Sequence, residues 1–348
     1  MKNRVAMLHA FGDASEIEVE TQVLPTPISG QVRVKIEAST VNATDIFIRK
    51  GIYPLLKEKP PFILGYDFVG TIDSVAPDVQ DFAIGNRVCG IIMTGGNADY
   101  VCCSESLLTL VPQEIKGTLA ACVNLSGITA YQMFVHYAKV KSGDRILIHG
   151  GSGAIGDTLL QFGKLNNCLM VTTASASKHS FIKKSYGATA LDYNDKDYWE
   201  DLDFVALGGF DAVFDFTNQK SFNRSYKYLK KGGRLVTYAV YSSALAIKYK
   251  TPYTFFKFGL DFLLMMLKLK WWNVIPLGKS ALFYGSTDSR NQYPERHNKD
   301  MRDLFKLIGD GVLVPLIYKE FKIEEVVDAH CILESGQVHG QIVIKNVH

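Results

Sequence analysis

The sequence predicts an α/β protein: a doubly wound parallel sheet joined to a mainly-β region. Three observations predict it. Residues before about Ala120 run in short alternating or apolar segments punctuated by Gly, Pro and Asp, the texture of strands and turns. After Ala120, apolar runs alternate with stretches of helical spacing, the pattern of a parallel sheet covered on both faces. Finally, the glycine-rich stretch HGGSGAIG (His149–Gly156) stands between the apolar run RILI and the helically spaced DTLLQFGKL.

Taken in order, QVRVKIEAS (Gln31–Ser39), FVGTIDSVA (Phe68–Ala76) and NRVCGII (Asn86–Ile92) are expected strands of the mainly-β part. The expected strands of the parallel sheet are RILIHG, CLMVTTA (Cys168–Ala174), ATALDY (Ala188–Tyr193), DAVFDFT (Asp211–Thr217), GRLVTYA (Gly233–Ala239) and ALFYGS (Ala281–Ser286). After Asn298 come a helix, the strand LIYKEFKI, a second helix and the strand QIVIK, which read as chain returning to the first domain. The 348 residues suit two domains. One segment stands apart: TFFKFGLDFLLMMLKLK (Thr254–Lys270) is apolar for most of its length, yet carries Lys257, Asp261, Lys268 and Lys270, so it makes a poor membrane span. On a helix, Lys257, Asp261 and Lys268 share nearly one azimuth. A helix buried on most sides by its own fold or by a dimer partner is the first expectation. The wall of an apolar pocket comes next, and contact with a membrane, which the following Trp271-Trp272 would favour, comes third.

Composition narrows the function. The formal charge of +3 is small for this length, and the Lys and Arg are scattered, which argues against nucleic acid as a partner. The six cysteines form no Cys-x-x-Cys pair, so no disulfide framework or zinc ribbon is indicated. The N-terminal MKNRVAMLHAFGD lacks the apolar core of a signal peptide, and the expectation is a cytoplasmic protein.

Gly151, Gly153 and Gly156 fit G-x-G-x-x-G, a weak signal by itself but here in its required strand–helix setting. The first glycine permits the tight turn, the second lets a pyrophosphate approach, and the third lets helix pack on strand. Ser152, Ala154 and Ile155 complete the loop, whose helix N-terminus would offer N–H groups to the phosphates. A tight turn can also demand glycine for its own sake. About twenty residues on, an acid would select NAD. The stretch TTASASKHS (Thr172–Ser180) has none; it offers hydroxyls, among them Ser175, and Lys178, suited to a 2′-phosphate. NADPH is therefore the expected cofactor, although a lone lysine is often only a solvated surface group.

Several motifs together carry a family resemblance: VNATDIFIRKGIYP (Val41–Pro54), PFILGYDFVGTIDSVA (Pro61–Ala76), GNRVCG (Gly85–Gly90), LSGITAY (Leu125–Tyr131), VKSGDRILIHGGSGAIG (Val140–Gly156) and LKKGGRLVTY (Leu229–Tyr238). In order and spacing the chain resembles the medium-chain dehydrogenase/reductase superfamily over nearly its whole length. Within it, the chain is similar to the zinc-independent quinone oxidoreductase branch, which includes the zeta-crystallin-like proteins. The resemblance implies a GroES-like substrate domain, set at residues 1–121 and 287–348, and a Rossmann cofactor domain at residues 122–286, with the active site in the cleft between them. It also implies a homodimer, through a sheet edge near Ala281–Ser286.

The zinc-dependent relatives place Cys at Asn42 and His-Glu at Tyr66-Asp67; amide and phenol do not replace thiolate and imidazole, and no structural-zinc lobe is present. No metal is expected. Without a Lewis acid, alcohol oxidation is disfavoured, whereas hydride donation to a quinone, an enone or enal, or an enoyl thioester remains feasible. By resemblance, Asn42 and Tyr53 are candidate donors to the acceptor and Tyr66 a residue of the pocket. Thr129 is placed near the nicotinamide and Tyr193 near the adenosine phosphate. Each has a plainer alternative: a turn-forming Asn, packed aromatics, a helix-interior Thr. The leading expectation is an NADPH-dependent reductase of quinones or activated alkenes. An enoyl thioester reductase is the nearest rival. The alternative from another class is an NADPH-binding, membrane-associated protein with little turnover.

Overall fold

A computed structural model describes residues 2–239 and 252–346. Two units emerge. One is built from Met1–Ile128 and Pro294–His348, the other from the chain beginning at Thr129 together with Pro252–Tyr293.

The second unit holds six parallel strands. The run Arg145–Ile148 sits inside the sheet because Ile146, Leu147 and Ile148 are apolar on both faces, and all three are fully buried. Leu147 aligns with Val171 of Leu169–Thr173 on one side and with Val213 of Phe210–Asp215 on the other. Thr189–Leu191 extends the sheet beyond Leu169–Thr173; Leu229–Thr237 and then Ser280–Phe283 extend it beyond Phe210–Asp215. Numbered along the chain, the order is 3-2-1-4-5-6, which reverses at the strand that feeds the glycine loop. Such a reversal opens a crevice at the carboxyl ends of the strands, where α/β sheets take their ligands. Ser280–Phe283 ends the row, so one of its edges has no strand neighbour within the described residues.

In the first unit, Gln31–Val41 alternates half-buried and buried positions, with Val32, Val34, Ile36 and Ala38 turned into the core. It is central to a seven-stranded sheet, pairing with Asp67–Val75, Tyr100–Ser104 and the C-terminal Gln341–Lys345. Phe68, Ile72, Val88 and Val101 fill the core beside it. The smaller sheet pairs Lys2–Leu8 with Ile17–Val23 and Phe62–Ile63.

Among the described residues, one helical run, Gly117–Ala138, is long and apolar enough to cross a membrane by composition, but 83% of its apolar window is buried in the protein, as in a core helix. The segment singled out for its apolar character lies in the helix Pro252–Val274. The fold covers one side of it only: Phe258, Met265, Leu269 and Trp272 are buried, Trp272 stacks on Tyr226 with centroids 4.3 Å apart, and the Asn273 side chain exchanges two hydrogen bonds with the backbone of Ala281.

Candidate functional site

In the mainly-β unit the site grows from the N-terminus of the helix Ala43–Arg49. Asn42 is its N-cap: Oδ1 accepts the Thr44 N–H at 2.9 Å, and the Asn42 N–H donates to Asp45 Oδ2 at 2.9 Å. The turn-forming alternative therefore describes the carbonyl half of Asn42. The amide half points elsewhere, with Nδ2 3.4 Å from Thr40 Oγ1. Thr40 in turn donates its hydroxyl to Asp67 Oδ2 at 2.5 Å, while its N–H donates to Oδ1 at 2.7 Å.

Asp45 ties the cluster together. Its Oδ1 accepts the Tyr66 N–H at 3.0 Å, so one carboxyl holds the backbones of Asn42 and Tyr66. The Tyr66 hydroxyl lies 3.0 Å from that of Tyr53, with the rings edge to face. Tyr66 is buried and Tyr53 half-buried. The three candidates Asn42, Tyr53 and Tyr66 thus belong to one hydrogen-bonded group. Asp45, from the stretch VNATDIFIRKGIYP, and Asp67, at the position of the zinc-dependent relatives' Glu, are its buried supports. Burial, followed by the proximity of Asp67, pushes the Asp45 carboxyl up to about 8. Burial raises Asp67 to about 6, against the opposing effect of the two Thr40 hydrogen bonds.

This donor set does not fit zinc. The Asn42 oxygen is committed to a backbone N–H, both Asp67 oxygens are committed to Thr40, and the Tyr66 hydroxyl is engaged by that of Tyr53. Among the described residues, the group of His, Cys, Asp and Glu donors close enough to share an ion is His9, Glu18 and Glu20, on the surface of the small sheet. In the strand Tyr100–Ser104, Cys103 is buried and Cys102 half-buried.

In the parallel-sheet unit the glycine loop leaves the central strand. The Gly150 N–H donates to Thr173 Oγ1 at 2.9 Å and the Gly151 N–H to Thr173 O at 3.0 Å. A Cβ at Gly151 would lie 2.1 Å from Thr172 Oγ1, and one at Gly156 would lie 2.2 Å from Gly150 O, so packing alone forbids side chains there. Gly153 differs. It is exposed, its φ of −79° suits any residue, and a Cβ there would meet only Gly150 O at an ordinary 3.5 Å. The protein gives no internal reason for glycine at 153, whereas a ligand pressed against the loop would. The helix Ala154–Leu165 that follows has no side-chain cap, and Ala154 and Ile155 are half-buried at its first turn, with Ser152 buried behind. The residues present therefore fit a dinucleotide.

Ser175 and Lys178 lie on the turn after the second strand. Lys178 is no solvated surface lysine: it is 9% exposed, and burial lowers its pKa. Tyr193 is 48% exposed, which removes core packing as its explanation. Thr129 is buried in a helical turn, Ile128–Gln132. The fold also adds what the stretch Thr172–Ser180 lacks. Asp192, from the end of the neighbouring strand, reaches in and accepts the Ala176 N–H at 3.2 Å. The Asn194 N–H foremost, then that of Ala176, holds the Asp192 carboxyl below the usual carboxylate range against the opposing effect of burial. The turn is acid-free in sequence but not in space. His149, at the start of the glycine-rich stretch, is buried with Nε2 3.1 Å from Ser225 Oγ, beside an Asp215 carboxyl group that both Ser221 and Ser225 bond at 2.6 Å.

Comparison with known proteins places this geometry in a family. Residues 28–136 match the family described as alcohol dehydrogenase GroES-like domain, and residues 186–344 the family described as zinc-binding dehydrogenase. The quinone oxidoreductase structure from Coxiella burnetii superposes with a TM-score of 0.79 at 26% identity, covering all of both chains. The chain belongs to the medium-chain dehydrogenase/reductase superfamily. Within that superfamily, a probable quinone oxidoreductase of Schizosaccharomyces pombe is 27% identical over 99% of this chain and 97% of its own length. A synaptic vesicle membrane protein VAT-1 homolog of Danio rerio is 26% identical over 98% of this chain. The chain spans 69% of that relative and between 63% and 83% of others so named. As a member of the superfamily, the protein is an oxidoreductase of the kind that uses a nicotinamide cofactor and small-molecule substrates.

Proposed function

We propose that the protein is a zinc-independent, NADPH-dependent reductase that delivers hydride to a quinone or an activated alkene. The observation that carries this reading is the group Asn42–Tyr53–Tyr66: Asn42 and Tyr66, which stand where zinc ligands would otherwise be, are held by the buried Asp45, and Tyr53 joins them through the Tyr66 hydroxyl. Reduction of a conjugated acceptor leaves negative charge on its oxygen, and donors already in place there stabilise that charge without reorganising. Thr40 and Asp67 fix the Asn42 amide, whose Nδ2–H is a donor of this kind. Either hydroxyl of the Tyr53–Tyr66 pair can donate to the other, and when Tyr66 donates, the half-buried Tyr53 is the phenol proposed to turn its hydrogen to the acceptor oxygen or to the carbon that takes a proton.

Gly151 to Gly156, with Ser152, Ala154 and Ile155, would seat the pyrophosphate; Thr129 would lie by the nicotinamide; Ser175, Lys178 and Tyr193 would face the adenosine phosphate. When bound, NADPH supplies the hydride. The Asp192 carboxylate is engaged by backbone N–H groups, and Lys178 is the cation offered on the same turn, so the reading keeps NADPH over NADH. The open edge of Ser280–Phe283 is the proposed seam of a homodimer.

Consumption of NADPH with benzoquinones, enones and crotonyl thioesters tests the reading. Benzoquinones or enones should be reduced. A strong preference for the thioester would move the assignment to enoyl thioester reduction, the second reading, which a tyrosine donor at Tyr53 also suits. Absence of turnover with all three would defeat both. Binding of NADH as tight as that of NADPH would overturn the cofactor assignment.

A further inference from the structure

The helix Pro252–Val274 is fastened to its unit along one side and apolar on the other. At 100° per residue, Leu263, Phe256, Val274, Leu267, Leu260, Trp271 and Leu264 follow one another around a single arc of about 100°. All seven are exposed, Val274 by 80%, Phe256 by 69% and Trp271 by 63%. Exposed apolar residues scattered singly need no explanation, but a contiguous stripe the length of a helix does. The stripe has charged borders. Lys270 lies at one edge, Lys257 and then Lys268 at the other, with Asp261 behind them. The opposite side is held by Phe262 against Phe283, Trp272 on Tyr226 and Asn273 on Ala281, so the stripe cannot turn inward without breaking those contacts.

We propose that this face docks the protein on an anionic phospholipid surface, the helix lying in the interface with Leu263, Leu267 and Trp271 among the upper acyl chains. Lysines on both borders of the stripe decide between occupants. The alkyl stems of the exposed Lys257 and Lys270 can lie along the apolar surface while their ammonium groups reach headgroup phosphates and carboxylates; Lys268 is turned to the Trp272 ring, 5.3 Å from its centroid. A second copy laid against the stripe by a two-fold axis would instead set lysine borders against lysine borders, with Asp261 the one acid on the face to offset them. Trp271 is at home at the depth where tryptophan collects, between headgroups and chains. Docking of this kind is peripheral and reversible and leaves the fold unchanged.

Vesicle flotation of the full chain tests the proposal. The protein should float with vesicles of phosphatidylcholine and phosphatidylserine, float poorly with phosphatidylcholine alone, and be released by salt. Trp271 emission should shift to the blue on binding, and Trp271→Phe should abolish the shift. The double variant Leu263→Glu/Leu267→Glu should stay in solution. Should it fail to fold, as judged by near-ultraviolet circular dichroism, Lys257→Glu/Lys270→Glu decides, with an expected loss of affinity for the phosphatidylserine vesicles of more than about tenfold. Failure of the unmodified chain to float overturns the proposal. So does flotation unaffected by both double variants. So does a fall from dimer to monomer in Leu263→Glu/Leu267→Glu on sedimentation, which would assign the face to a second copy.

Discussion

Asn42 does two jobs with two atoms, and substitutions can separate them. Its Oδ1 caps a helix, while its Nδ2 is the donor proposed for the acceptor oxygen. Asn42→Asp keeps the cap and removes the donor. Its stability, measured by denaturant unfolding, should stay within about 0.5 kcal/mol of the parent, while kcat falls about 100-fold or more. Asn42→Ala loses both, and should add about 1 kcal/mol of destabilisation to the same fall in rate. Asp45 makes a different prediction. Its carboxyl titrates near 3.8 when unfolded and is pushed up to about 8 in the fold, so between those values the folded protein binds the extra proton. Stability should therefore decline as pH rises through that window, with Asp67 adding to the decline between 3.8 and about 6. Melting temperature against pH checks this. Asp45→Asn should be less stable at low pH, having lost one acceptor for two N–H groups, but its curve should be flatter.

At the scale of the element, the glycine loop separates packing from binding. Gly151→Ala and Gly156→Ala each drive a methyl group into atoms barely 2 Å away and should cost at least about 2 kcal/mol of stability. Gly153→Ala meets nothing closer than 3.5 Å, so it should melt like the parent while losing about tenfold or more in NADPH affinity by calorimetry. The loop, its strand and its helix were legible in the sequence because their signals are local: an apolar run, three glycines, a helical period. The pairing of Tyr53 with Tyr66 was not, since nothing in either neighbourhood points to the other. Asp192 escaped for the same reason. Sequence directs attention to the turn after the second strand, but the acid arrives from the third, across a sheet register that only the fold sets. The apolar helix shows the opposite limit. Its charged azimuth was readable, but the side its own unit covers depends on how Tyr226 and the strand carrying Ala281 and Phe283 pack against it, which the fold alone sets.

For the whole molecule, cofactor binding and stability should be linked. A ligand that binds only the folded protein raises its stability by about 2.7 kcal/mol at a hundred times its dissociation constant. NADPH should therefore raise the melting temperature more than NADH does, and Asp192→Asn should widen the gap by removing a negative charge beside the 2′-phosphate. An equal rise with both cofactors would instead mean that this turn does not discriminate between them.

The pairing of Val343 with Thr40 carries a consequence for biosynthesis. Gln31–Val41 leaves the ribosome early, yet its partner Gln341–Lys345 is made only after the whole parallel-sheet unit. Until then the Ala38–Val41 end of the strand lacks its partner on that edge, while Gln31–Lys35 can already pair with Tyr100–Ser104 and every strand of the parallel-sheet unit has emerged. The unit made first is thus the one finished last. Stalled or C-terminally clipped chains should be the form of this protein that aggregates and that holding chaperones capture.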